Sequence, residues 1–148
     1  MKRRIVVIAG LLACVLILSG CKRIDYSLPE NPQVFTQRSY SYNDETCGEL
    51  AGFEYNGREY VFFGSIKGGI LSDEVGECVG YIYSETNPED KNDRVMKLTA
   101  TDDFLMVYYV SGIMEPAVFY RAADTRDKDI EIPEYIIDNG YRYWGGEN

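Results

Sequence analysis

AGFEYNGREYVFFG, residues 51–64, is the stretch on which the fold turns. Apolar and polar side chains alternate on either side of Asn56-Gly57, a dipeptide whose two residues both accept positive φ. A two-residue type I′ hairpin turn needs that conformation at both positions. The resulting register pairs Tyr55 with Arg58, Glu54 with Glu59 and Phe53 with Tyr60. Ala51, Phe53, Tyr55, Tyr60 and Phe62 then share one face, the expected core face. Glu54 and Glu59 oppose each other on the other face, which is unfavourable unless water solvates them. Two facing carboxylates also admit a catalytic reading, against the plainer one of a solvated strand face.

Outward from this hairpin the β pattern continues. Ser65–Gly69 (SIKGG) lacks the spacing and the Lys-Ser/Thr ending of a phosphate-binding loop and reads as a turn. Leu71–Val75 can form a short helical turn capped by Ser72. Cys78–Tyr83 is rich in β-formers, Ser84–Asp93 is a polar loop, and Val95–Thr101 with Phe104–Val110 reads as a half-buried hairpin turning at Asp102-Asp103. Ala117–Arg121 is a further strand. The expected class is mainly β, a small antiparallel sheet or sandwich with at most short helical turns; an α+β arrangement is the alternative.

Composition narrows the chemistry. The 148 residues include no histidine, which removes Ser-His-Asp, Cys-His and His-containing zinc arrangements together. No sequence feature calls for a cofactor. The loop Asp124–Glu131 gathers acidic side chains, but Arg126 and Lys128 intervene and no glycine gives the sharp turn of a calcium loop. A solvated loop is the simpler reading there.

The amino terminus has three parts. Lys2, Arg3 and Arg4 are followed by an uncharged apolar run, Ile5–Leu18, and then by Leu18-Ser19-Gly20-Cys21. The run is short of the ~20 residues that span a bilayer and suits a signal-peptide core. The ending resembles the lipobox of bacterial lipoproteins. That resemblance covers residues 1–21 and implies cleavage before Cys21, a diacylglyceryl group on its sulfur, and attachment to the extracytoplasmic face of the cell membrane. An outer membrane is included if the cell has two. An uncleaved anchor helix with an incidental cysteine is the other reading. The implied organisation is a signal peptide over 1–20, a lipidated tether over 21–33 stiffened by Pro29 and Pro32, and one β-rich domain over 34–148.

Loss of residues 1–20 removes three basic groups and no acidic ones, taking the formal charge from −9 to −12. So acidic a surface repels phosphate backbones, and nucleic acid is not an expected partner. Outside the cytoplasm, Cys47 and Cys78 are expected to form one disulfide, with two separate buried thiols as the alternative. Thirteen tyrosines and one tryptophan make the chain aromatic. Most of these rings serve as strand pairs, while Tyr141, Tyr143 and Trp144 near the carboxyl end are the candidate binding residues. The function expected is a non-catalytic interaction module for an envelope protein or glycan. A protective lipoprotein that intercepts a toxin or hydrolase is a second class, and a small carboxylate enzyme a third.

Overall fold

In a computed structural model, residues 23–41, 49–111 and 117–139 are described. Cys21, Cys47, Tyr141, Tyr143 and Trp144 lie outside these residues. The strands are β1 (Gln33–Thr36), β2 (Arg38–Ser41), β3 (Glu49–Tyr55), β4 (Arg58–Ile66), β5 (Val75–Tyr83), β6 (Asp93–Leu98), β7 (Phe104–Tyr109), β8 (Ala117–Ala122) and β9 (Ile136–Asp138). One 3-10 turn, Ala123–Thr125, is the only helical element among the described residues.

All nine strands form a single sheet ordered β1-β5-β6-β7-β8-β4-β3-β2, with β9 added to β4. Every pairing is antiparallel except β1 with β5. The protein is therefore mainly β, as the alternation predicts, and takes the form of one sheet and not a sandwich. The β3–β4 hairpin has the expected register, with Asn56 at φ 51° and Gly57 at φ 75°.

The two ends of the sheet belong to one stretch of chain. β1 and β2 are separated only by Gln37, so the extended segment Gln33–Ser41 bonds β5 through its first half and β3 through its second. Six pairings separate β1 from β3 along the sheet, yet Phe35 and Phe53 meet with ring centroids 5.2 Å apart. The sheet is rolled almost into a barrel, and the face carrying these rings is the inner one.

Both faces carry a buried cluster, which the hairpin pattern does not announce. Along β4, Tyr60 belongs to the inner cluster with Phe53, Leu105 and Tyr120, whereas Val61 and Phe63 belong to an outer cluster with Met96, Phe104 and Phe119. Phe62 packs against both. The expected core face is right for Phe53 and Tyr60, while Ala51 is exposed. β7, expected to be half-buried, is buried from Phe104 through Val107. The outer cluster escapes water because two irregular segments cover it, while Glu54 and Glu59 on the same side stay exposed. One is an amino-terminal arm carrying Ile24, Tyr26 and Leu28; the other carries Ile130 and Tyr135 into β9.

The second segment is fastened from below. Arg121, 5% exposed, donates from Nε to Thr125 Oγ1 at 3.0 Å and from Nη2 to the carbonyls of Thr125 at 2.6 Å and Lys128 at 3.1 Å. Its guanidinium also sits 5.5 Å from the Phe63 ring centroid. A buried cation is tolerable only when so many acceptors surround it. Here they hold the 3-10 turn and the loop after it against the sheet.

Candidate acidic cleft

A concave surface lies where β6 turns into β7. A cavity of about 410 Å³ is bounded by Glu74, the turn residues Ala100, Thr101 and Asp103, and Glu131, Pro133, Glu134 and Tyr135. A groove of about 620 Å³ adjoins it, sharing Glu74, Glu134 and Tyr135 and adding Lys67, Gly69 and Leu71.

Each wall is set by local bonds. Glu74 ends the turn Leu71–Glu74, its Oε2 accepting from Leu71 N at 2.7 Å and its carbonyl accepting from Thr99 N at 2.9 Å. The expected Ser72-capped turn is thus closed by the Glu74 side chain instead. Asp103 N donates to Thr101 Oγ1 at 3.0 Å, which tightens the β6–β7 turn. On the third wall, Ile136 N donates to Pro133 O at 2.9 Å, and Lys67 N to Tyr135 O at 2.8 Å. Tyr135 packs its ring 5.9 Å from Phe119, and its buried hydroxyl has no hydrogen-bond partner among the described residues. Burial, with Glu74 nearby, pushes that hydroxyl above its ordinary range.

Charge across the cleft is one-sided. Among the described residues, Glu74, Asp103, Glu131 and Glu134 line the cavity with no basic side chain, and Lys67 enters only at the adjoining groove. Asp103 is neutralised from outside the cavity. Arg58 Nη2 reaches Asp103 Oδ1 at 2.7 Å and Asp124 Oδ1 at 2.8 Å, and Nη1 donates to the Asp102 carbonyl at 2.9 Å. The Arg58 hydrogen bond holds the Asp124 carboxyl below its usual range. Asp124, expected in a solvated loop, therefore clamps that loop to the hairpin. Among the described residues no group of three Cys, Asp or Glu side chains is placed to hold a metal ion.

Cys47, the disulfide partner expected for Cys78, lies outside the described residues. Cys78 itself is buried, its Sγ 3.5 Å from the Gly80 carbonyl, and burial pushes its thiol above the ordinary value. Glu54 and Glu59 face each other as the register requires, both exposed, on the far side of the hairpin from the inner core. Apart from Glu131, which ends the acidic loop Asp124–Glu131, the cleft residues are not singled out by sequence, because Glu74, Asp103 and Glu134 come from three separate loops with no shared spacing. Only the topology assembles them. Comparison with family models, curated proteins and solved structures gives no match to this chain.

Proposed function

We propose that this chain is a lipid-anchored extracytoplasmic protein that works by binding, and that its acidic cleft receives a cationic segment of a protein partner. The observation that carries the reading is the cleft wall of Glu74, Glu131 and Glu134, with no basic lining residue in the main cavity among the described residues, while Asp103 on the same wall is paired with Arg58. An approaching lysine or arginine side chain gains charge-assisted hydrogen bonds there, and a mature charge of −12 steers it in. Anchoring rests on the Leu18-Ser19-Gly20-Cys21 ending, and the aromatic end Tyr141, Tyr143 and Trp144 would extend the contact surface. A protective role uses the same chemistry, with a cationic toxin or hydrolase as the ligand.

An oligolysine peptide is a sufficient probe. Glu131→Gln with Glu134→Gln should weaken its binding several-fold and flatten the dependence on salt, with unfolding unchanged. Equal binding by the double variant would remove the cleft from the reading. Anchoring is tested apart from binding: a fatty-acid label should disappear in Cys21→Ser, and its persistence would exclude Cys21 as the lipid site.

A further inference from the structure

The amino-terminal arm is part of the folded body. Ile24, Tyr26 and Leu28 turn inward, alternating with exposed Arg23, Asp25 and Ser27. Tyr26 stacks on Tyr108 with centroids 3.9 Å apart and planes 9° from parallel, and Arg94 Nε donates to the Tyr26 carbonyl at 3.1 Å. Residues 24–28, expected to belong to a free tether, are instead packed on the outer face.

Length then becomes decisive. Only Lys22 and Arg23 separate Cys21 from Ile24. Three Cα steps reach at most about 11 Å, about 4–6 Å beyond the head-group layer of one leaflet, roughly 5–7 Å. A lipid on Cys21 therefore holds the barrel close against the bilayer surface.

The two ends of the β5–β6–β7 strands differ. Near Tyr108 the rim carries Tyr83, Tyr109 and Val110, exposed by 36%, 38% and 41%. The Val110 amide bonds the Asn92 carbonyl at 3.0 Å, placing this rim where β6 begins. At the opposite end lie Glu74, Asp102 and Asp103, about 17 Å along β7 from Tyr108 at 3.4 Å per residue. Tyrosine suits the membrane–water boundary, whereas clustered carboxylates are repelled by anionic head groups.

We propose that the lipid draws the arm-bearing end onto the bilayer, with the Tyr83–Tyr109–Val110 rim toward the head groups and the acidic cleft facing away. The proposal rests on acylation of Cys21. Glu85, Glu89 and Asp90, with Lys91, lie in the loop at the same rim, and Asp93 pairs with Tyr109, so the short arm and not charge holds the contact, and zwitterionic vesicles are the appropriate surface.

The test uses the full lipidated protein in phosphatidylcholine vesicles containing a lipid with a quenching head group. A fluorophore is placed at Tyr109→Cys or Asp127→Cys, with signal from the parent protein subtracted. Quenching at 109 should exceed that at 127 several-fold. A long Gly-Ser insertion between Arg23 and Ile24 should bring the two close to equality. Equal quenching without the insertion, or stronger quenching at 127, would overturn the orientation. Protein that fails to enter the vesicles would instead overturn the anchor on which it rests, and sedimentation with the vesicles separates the two failures.

Discussion

The backbone carbonyl of Gln33 occupies the space that a β-carbon on Gly80 would need. These two residues are register partners where β1 meets β5, so the closure of the sheet depends on a missing side chain. Gly80→Ala should force β1 outward and cost about 1–3 kcal/mol. Gly69→Ala, where a β-carbon meets open space, should stay within about 0.5 kcal/mol of the parent. Urea midpoints of the two variants decide the matter, and equal midpoints would contradict the crowding.

Arg58 should make stability acid-sensitive. It holds the Asp124 carboxyl below its ordinary 3.8, so the ionised pair stabilises the fold above that pH. The contribution is lost as pH falls through the lower folded-state value. Arg58→Met should cost roughly 1–2 kcal/mol near neutrality, from the ion pairs and the Asp102 carbonyl bond, and should lose stability less steeply below pH 4 than the parent. Thermal melts at several acid pH values read this directly.

At the alkaline end the sign reverses. Burial pushes the Tyr120 hydroxyl from 10.0 up to about 12, while its bond from Gln37 Nε2, at 3.1 Å, opposes the rise. Stability from the neutral phenol is complete below pH 10 and is lost as pH climbs toward 12. Tyr120→Phe should flatten that decline and cost about 1 kcal/mol at neutral pH for the lost hydrogen bond. Tyr26, raised to about 12 by burial and by Tyr108, titrates in the same range, so the flattening should be partial.

The Cys47–Cys78 pair is tested by alkylation. Protein prepared under oxidising conditions and unfolded without reductant should take up no reagent at either residue. In the chain-entropy model the closed loop would contribute about 3–4 kcal/mol. Two adducts in the unfolded chain would refute the bridge and leave Cys78 a buried thiol.

Strand positions and the Asn56-Gly57 turn are legible because both are local. Alternation has a period of two, and positive φ at a hairpin turn selects for asparagine and glycine. The depth of burial is not legible in the same way. Val61 and Phe63 read as the outer side of a one-faced hairpin until Tyr26 and Tyr135 arrive from distant segments to cover that side. Ile24, Tyr26 and Leu28 do alternate, but three apolar residues beside two prolines are too short a signal to distinguish an arm from a tether. The acidic cleft is less legible still. Its carboxylates come together only because β5, the β6–β7 turn and the approach to β9 end at one place.

The seam formed by Gln33–Ser41 also sets an order of events. β2 and β4 find their partner β3 locally, but β1 cannot pair until β5 exists, and the other edge of β4 must wait for β8 and β9. Such non-local pairing belongs to all-β topologies that fold in roughly milliseconds to seconds. A chain that emerges amino end first presents β1 among its first strands and secures it only after β5 has followed. Until then Phe35 and an unpaired strand edge stay open to neighbouring chains, so the emerging chain is most prone to aggregate before Tyr83 has followed.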